Sequence, residues 1–284
     1  MDSTKVPFGE KIGPFTNFCD PDEIAAFALA INDDNPLYQD GRAIPPTYAV
    51  VPVFQAMRSV PQVPEDAMNG GRGGGHGEHE LLIHKPITPG MVLHTTADHY
   101  AAIVSKAGMN VFIRLISVDD SGETVLEQYW SSIMVGEATG GNQGGPIPDH
   151  TFPEDARERL VGTMTLTSTR DQTFRYAGAS GDRAIIHVSD QAATGMGQSG
   201  KFLQGACSLG IASKALVALA AGGDPRRIRR VAVRFAGYVF PQKYLDVSVY
   251  DIGPTDNGRH AYAFEVISEG RAVLRHGRVE VLPA

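Results

Sequence analysis

The sequence predicts an α+β protein built from two similar halves, each combining antiparallel strands with one long apolar helix. Three observations support this prediction. Matched features recur about 150 residues apart: Asp33 and Asp182 are separated by 149 residues, and so are Tyr38 and His187. Each half ends in β-rich runs joined by Gly-containing turns. A Gly- and Pro-rich segment separates the halves.

Length and composition set broad limits on the kind of protein. The chain has 284 residues, 42% of them hydrophobic, which is enough for one large domain or two small ones with real cores. Its formal net charge of -7 and the lack of a long Lys/Arg block argue against a general nucleic-acid binder. A small anionic ligand needs only a local basic patch, so such ligands stay possible.

Cysteine usage and the termini indicate the cellular compartment. Cys19 and Cys207 are too few for a disulfide framework or a four-ligand zinc site, so we expect reduced thiols in a cytoplasmic protein. Residues 1–20 lack the apolar core of a secretory signal. The longest apolar run, 209–221, is too short to span a bilayer and contains Lys214.

The first half, 1–137, begins with a helical pattern over 21–34 and a Pro-rich run over 43–57. The Gly-rich segment 69–77 predicts a mobile surface loop, and a phosphate-binding loop is disfavoured because a strand, not a helix, follows it. Two β-rich runs then flank the turn at 119–122. Residues 138–155 are rich in Gly, Pro and Asp and predict an interdomain linker.

The second half, 156–284, repeats this plan. A helical pattern over 169–182 precedes the strongest predicted helix of the chain, an Ala- and Leu-rich run that starts near Gly205 and ends at Gly222-Gly223. Its apolar residues cover nearly every face, so we expect it to be buried on nearly every side. Strands with turns at 257–258 and 269–270 complete the half.

The ordered motifs resemble those of the MaoC-like, R-specific enoyl-CoA hydratases (hydratase type 2) in their double-hotdog form. The family pattern Ser-Gly-Asp-x-Asn-Pro-Leu-His corresponds to 180–187, SGDRAIIH, and the His-Gly that starts the central helix corresponds to Gln204-Gly205. The stretches 234–242 and 76–90 resemble two further family segments. The resemblance covers nearly the whole chain. It implies a tandem double hotdog, in which each half is an antiparallel sheet wrapped around a central helix.

The two copies of the motif differ from each other. The N-terminal copy, 33–38, keeps Asn-Pro-Leu but carries Tyr38 in place of histidine, whereas the C-terminal copy keeps Asp182 and His187 but has Ala184-Ile185 in place of Asn-Pro. In the family the C-terminal half carries catalysis and the N-terminal half shapes the acyl pocket. Pro45, Pro46 and Pro52 interrupt the N-terminal counterpart of the central helix, which would leave space for an acyl group.

The resemblance implies hydration of a 2-enoyl-CoA to a (3R)-3-hydroxyacyl-CoA, or the reverse dehydration, without a cofactor or a metal. His187 would act as general base toward water, Asp182 would orient the water and partner the α-proton, and the N–H of Gly205 would stabilise the enolate oxygen. A Gly-Asp turn opening into an extended segment would bring Asp182 and His187 to one water. The structural alternative is a turn and a core histidine.

Several other candidate residues allow both a functional and a structural interpretation. Ser208 could contact the substrate or bond to its own helix. The basic cluster formed by Arg226, Arg227, Arg229 and Arg230 could bind CoA phosphates or be a solvated strand entry. His76 and His79 lack the spacing of a helical zinc motif, so we expect no metal.

A homodimer is expected from the fold. Two alternative functions stay open: an inactive thioester-binding or scaffold protein, and a thioester hydrolase.

Overall fold

The computed structural model describes residues 1–68 and 72–283. The strands are β1 (Ile12–Phe18), β2 (Arg72–Ile83), β3 (Val92–Ser105), β4 (Gly108–Val118), β5 (Thr124–Val135), β6 (Gln143–Gly144), β7 (Leu160–Thr167), β8 (Ile228–Phe235), β9 (Tyr244–Pro254), β10 (His260–Ser268) and β11 (Arg271–Val281). The helices are α1 (Pro21–Ala30), α2 (Pro36–Gln39), α3 (Val50–Ser59), α4 (Glu65–Met68), α5 (Gln172–Ser180), α6 (Ile185–Val188), α7 (Asp190–Gly195) and α8 (Gly205–Leu219).

All strands belong to one antiparallel sheet that contains both halves. Its order is β1-β3-β4-β5-β2-β8-β11-β10-β9-β7, with the short β6 beside β3. The order of the first five strands is mirrored by the last five, as the repeat predicted. The halves meet where β2 pairs with β8, with Glu80 opposite Ala232 and Leu81 opposite Val231. The seam is therefore a continuous backbone ladder, and the halves share one sheet.

Each half has a helix packed on its own strands, and the two helices differ in length. α8 has 15 residues and contacts β7 and β9, while α3 has 10 residues and contacts β1, β3 and β4. α3 is preceded by a 3-10 turn over Pro46–Ala49, where proline lacks the N–H that a longer helix would need. The predicted shortening of the N-terminal helix is therefore present.

α8 is buried on nearly all sides, as its composition predicted. It lies close to the N-terminal half: a Cβ at Gly210 would come within 2.6 Å of Ile31 Cγ2. Ser213 Oγ is 3.5 Å from Thr47 Oγ1, which lies in the 3-10 turn ahead of α3. Close packing of one helix against both halves joins them into a single core.

An ion cluster reinforces the seam between the halves. Arg230 on β8 donates to Glu80 of β2 at Oε2, 3.1 Å away, and to Glu280 of β11 at 2.9 Å. All three side chains are buried. Burial opposes the charge on Arg230, but the hydrogen bonds that it donates to both carboxylates raise its pKa on balance. The Arg230 guanidinium therefore pairs with carboxylates in the interior of the protein.

The structure corrects the prediction of a surface loop over 69–77. β2 begins at Arg72 and pairs with β5, so 72–77 is part of a strand. Glycine suits this place because a Cβ at Gly77 would lie 2.9 Å from Asn110 Oδ1 and 2.8 Å from Ser131 Oγ. Residues 69–71 lie outside the described part of the chain.

The segment predicted as a linker, 138–155, follows the surface of the N-terminal half. β6 pairs with β3, and Ser3 Oγ donates to the carbonyls of Thr139 and Gly141 at 3.0 and 2.7 Å. No helix within the described ranges, 1–68 and 72–283, is long and apolar enough to cross a membrane.

Candidate active site

Asp182 stands at a chain reversal between two helices. α5 ends at Ser180, and its C-cap, Gly181, adopts a left-handed conformation with φ of 79°, which favours glycine. Asp182 Oδ1 accepts a weak bond from the N–H of Ala184 at 3.4 Å. The chain then forms the single turn α6 that carries His187. The expectation of an extended segment was wrong, and the interruption between α5 and α6 is what keeps the two side chains off one helix.

His187 is buried and its ring orientation is fixed by a backbone contact. Its Nδ1 lies 2.9 Å from the carbonyl oxygen of Phe202, and its ring meets the Phe202 ring edge-on with centroids 4.9 Å apart. A carbonyl oxygen only accepts hydrogen bonds, so Nδ1 carries the proton and Nε2 of the neutral ring is a free base. Burial lowers the pKa of His187, opposed by the Phe202 bond and by the charge of Asp182.

The N-terminus of α8 lies beside this pair. Gln204, at the N-cap, is fully buried and its Nε2 donates to the carbonyls of Asp182 and Thr173 at 3.1 and 3.2 Å. Among the residues that the structure describes, the N–H groups of Gly205 and Ala206 have no acceptor. Free N–H groups at a helix start favour negative charge. The segment 202–205 therefore contacts both Asp182 and His187 and ends in a candidate anion-stabilising site.

Aromatic side chains form one side of this region. A Cβ at Gly205 would lie 3.1 Å from the ring of Phe235, so any larger residue would have to push this ring aside. The Phe235 ring is 4.2 Å from the His76 ring, which stacks on Trp130 at 4.0 Å with an angle of 4° between planes. His76 and Trp130 come from β2 and β5 of the N-terminal half.

The row of rings continues to the residue next to Asp182. Trp130 meets Phe54 of α3 at 6.3 Å, and Phe54 lies within 3.7 Å of a Cβ placed at Gly181. We call Phe54, Trp130, His76 and Phe235 the aromatic wall. Sequence reasoning missed its first two members and considered His76 only as a metal ligand. These residues are distant in sequence, and only the seam of the sheet brings them together.

Burial lowers the pKa of His76 and of His79, the two histidines that were considered as metal ligands. Burial and the repulsion of His79 lower the pKa of His76 well below its usual range. Burial lowers the pKa of His79 to about 4, and its Nε2 is 2.9 Å from Gln128 Oε1. Both rings are therefore neutral at pH 7. Within the part of the chain that the structure describes, no group of three His, Cys, Asp or Glu side chains is placed to hold a metal ion.

In the structure, the Ser208 side chain forms a hydrogen bond to its own helix, which is the second of the two predicted alternatives. It is buried on the first turns of α8, with Oγ 3.5 Å from the carbonyl of Gln204. Its hydroxyl is directed to its own helix, and the substrate contact of Ser208 stays a prediction.

The four arginines of the basic cluster do not form one surface. Arg230 is buried in the seam ion cluster, and Arg227 donates to the carbonyls of Leu282 and Ala221. Arg226 pairs with Asp224 at 2.8 Å. The predicted phosphate contact is therefore wrong for Arg230, whose guanidinium has no access to a ligand.

These arginines are also far from Gly205. The bond from Arg227 to Ala221 places the cluster at the C-terminal end of α8, which has 15 residues. A helix of that length is roughly 22 Å long. The cluster and the acid–base pair thus occupy opposite ends of the helix.

The N-terminal copy of the motif has the same backbone plan with different chemistry. Asn35 caps α2 by accepting the N–H of Leu37 at 3.0 Å, and Asp33 Oδ1 accepts the N–H of Asn35 at 3.1 Å. Tyr38 is buried at the place corresponding to His187, and burial raises the pKa of its hydroxyl. A neutral phenol cannot serve as a base at pH 7, so this copy offers no acid–base pair.

A sheet packed on a helix in each half, with Asp182 and His187 beside the start of α8, defines a double-hotdog protein and puts its candidate site at that helix start. The MaoC like domain model matches residues 153–267. The chain is 30% identical to 3-hydroxyacyl-thioester dehydratase Y of Mycobacterium tuberculosis over 89% of this chain and 86% of that protein. The chain belongs to the MaoC-like dehydratases.

Further likenesses agree with this family. The chain is 28% identical over 72% of its length to peroxisomal multifunctional enzyme type 2 of Drosophila melanogaster, of which it spans 34%. A MaoC-like dehydratase from Phytophthora capsici superposes with a TM-score of 0.82 at 21% identity, over 98% of this chain and 97% of that one. A Mycobacterium tuberculosis protein described as a double hotdog superposes with a TM-score of 0.61 at 15% identity, over 98% of this chain and 98% of that one.

Proposed function

We propose that the protein catalyses the reversible addition of water to a 2-enoyl-CoA, giving a (3R)-3-hydroxyacyl-CoA. The observation that carries the proposal is the fixed ring of His187. Its Nδ1–H is held by the Phe202 carbonyl, and Nε2 is a free base near the carboxylate of Asp182. The relatives named as a thioester dehydratase and as a probable enoyl-CoA hydratase support the same reaction class.

In the proposed reaction, His187 Nε2 takes a proton from a water that attacks the β-carbon. Asp182 accepts a hydrogen bond from the same water, whose oxygen bonds to the β-carbon while the π electrons of the double bond move toward the thioester oxygen. The proton taken up by His187 then passes through Asp182 to the α-carbon as the enolate collapses. H and OH are thus added across the double bond, and both side chains return to their starting states. Acid–base groups held in place typically contribute about 10²–10⁴ in rate. In the reverse direction His187 protonates the leaving hydroxyl and Asp182 removes the α-proton.

The thioester oxygen gains negative charge when the enolate forms. The free N–H groups at the start of α8 would receive it, since Gly205 has no side chain to hold the thioester away. Removing one such donor typically costs about 10²–10³ in kcat. The aromatic wall would then face the acyl chain, which matches a pocket shaped by the N-terminal half.

The proposal is tested by the loss of crotonyl-CoA absorbance, with chiral chromatography of the product. We expect Asp182→Asn and His187→Ala each to reduce kcat by about 10²–10⁴. Turnover that is unchanged in both variants would contradict the assigned roles. An S product would contradict the stereochemistry alone.

A cytoplasmic location and a homodimer stay predictions.

A second candidate is an inactive thioester binder, favoured by one observation. α6 has no side-chain cap, because Ala184 stands where the N-terminal copy has the capping Asn35. Loss of a cap typically costs about 1 kcal/mol and could loosen the turn that carries His187. Binding of crotonyl-CoA without any hydration, and without release of free CoA, would favour this candidate. Release of free CoA would indicate a hydrolase.

A further inference from the structure

A cavity of about 340 Å³ lies beside the N-terminal copy of the motif. Its walls are the loop after Tyr38 (residues 41–46), the loop after β2 (residues 86–89) and the beginning of β8 around Arg229. We call it the N-terminal cavity. Under the symmetry of the two halves, these loops correspond to the loops after His187 and after β8. The cavity therefore occupies, in the N-terminal half, the place that the candidate active site occupies in the C-terminal half.

The wall of the N-terminal cavity combines apolar surface with positive charge. Ala43, Ile44, Ile83, Ile87 and several prolines give it an apolar surface. Arg42, Arg226 and Arg229 are its charged lining residues, and no carboxylate lines it among the described residues. Its volume is at the lower end of the usual range for ligand sites, about 300–1,000 Å³, and suits a small ligand.

One of these three charges has no carboxylate within salt-bridge distance in the described part of the chain. Arg42 pairs with Asp40 at 2.6 Å and Arg226 pairs with Asp224 at 2.8 Å. Arg229 forms no salt bridge with any residue that the structure describes; its Nη1 donates only to backbone carbonyls.

Two effects disfavour the charge on Arg229. Burial lowers the pKa of Arg229, and the nearby charge of Arg259 lowers it further, while the charge of Asp224 opposes them only in part. Under these conditions a bound anion would stabilise the half-buried guanidinium strongly, because charge-assisted hydrogen bonds are stronger than neutral ones.

We propose that the N-terminal cavity is a second binding site, for a small carboxylate with an apolar body, such as a short-chain fatty acid. The carboxylate would pair with Arg229 through the guanidinium N–H groups that the backbone does not use. The apolar body would lie against Ile83 and Ile87. The proposal goes beyond the hydration reaction, because the arginines stand at the opposite end of α8 from Gly205.

The experiment is a calorimetric titration of the full-length protein with hexanoate. We expect saturable binding to the unaltered protein and a Kd at least about tenfold higher for Arg229→Gln, since one charge-assisted pair is lost. Arg271→Gln removes an exposed arginine on β11 and is the matched control, with an unchanged Kd expected. Thr88→Trp, at an exposed position of the wall, should block the cavity without disturbing the core.

Two further probes separate this site from the catalytic one. Hexan-1-ol has the same body without the charge and should bind at least about tenfold more weakly than hexanoate. Butyryl-CoA, a saturated thioester, should not displace hexanoate. Displacement by butyryl-CoA, hexanoate binding that survives Thr88→Trp, or equal binding of hexan-1-ol would each overturn the proposal. The hydratase assay is independent, so either proposal can fail without the other.

Discussion

The two copies of the motif share a backbone and differ in the groups that can move a proton. Both place an aspartate before a short helix, α2 in one half and α6 in the other. In the N-terminal copy the helix is well capped by Asn35 and carries Tyr38, whose buried phenol stays neutral. In the C-terminal copy the cap is absent and His187 presents a free base. The copy with the weaker local structure is thus the one suited to chemistry.

The helices that follow the two copies differ in the same way. Among the residues that the structure describes, the N–H groups of Gly205 and Ala206 at the start of α8 have no acceptor. The N-terminal helix is instead entered through Pro45 and Pro46, which have no N–H to offer. The N-terminal half therefore has Tyr38 in place of the histidine and fewer N–H donors at its helix entry. Its Phe54, Trp130 and His76 contribute to the aromatic wall of the other site.

The largest expected effect concerns matched substitutions in the two copies. His187→Ala should lower kcat for crotonyl-CoA by about 10²–10⁴, and Tyr38→Phe should change it less than about twofold. Asp182→Asn and Asp33→Asn form a second matched pair. Steady-state kinetics measures all four. A similar loss of kcat from Tyr38→Phe and from His187→Ala would show that the two copies of the motif do not differ in their catalytic role.

The second prediction concerns the seam that holds the halves together. Arg230→Leu leaves Glu80 and Glu280 buried without their shared cation, so the free energy of unfolding should fall by about 3–5 kcal/mol. Arg226→Leu breaks only an exposed pair and should cost less than about 1 kcal/mol. Urea denaturation measures both. Equal losses in the two variants would mean that the seam cluster adds nothing beyond a surface ion pair.

The third prediction tests the contribution of the N-terminal half to substrate choice. Phe54→Ala removes apolar surface from the aromatic wall, so kcat/KM for 2-octenoyl-CoA should fall about tenfold. The shorter crotonyl-CoA should lose less than about threefold. Phe174→Ala, an exposed aromatic on α5, serves as control. Equal losses on both substrates would place the acyl chain away from Phe54.

The smallest effect is the titration of His187, followed by NMR. Because burial lowers its pKa, the midpoint should lie below the ordinary value of 6.5, and the acid limb of kcat/KM should follow it. Asp182→Asn should lower this pKa further, since the Asp182 charge raises it. Protonation opposes folding here: the contribution of His187 to stability is complete above pH 6.5 and is lost as the pH falls through the folded pKa. A midpoint above 6.5 would contradict the assigned environment.

Several expectations failed for reasons that local sequence does not contain. The segment that contains Gly73 and Gly77 was predicted to be a loop because glycine-rich chains have high entropy. Instead β5 pairs with it, and a larger residue at Gly77 would collide with Asn110 and Ser131. Arg230 resembled a surface cation until the sheet placed two carboxylates around it. In each case the deciding partner lies 50 residues or more away along the chain.

The resemblance of the motif at 180–187 to a known family made Asp182 and His187 the candidate site. Local patterns alone were enough to predict the repeat and the buried helix at 205–219. These depend on periodicity, composition and spacing, which are properties of short segments. The tautomer of His187, the aromatic wall and the charge on Arg229 were decided only by the tertiary structure. Each depends on which distant groups surround a side chain, because burial and neighbouring charges set its protonation state and its partners.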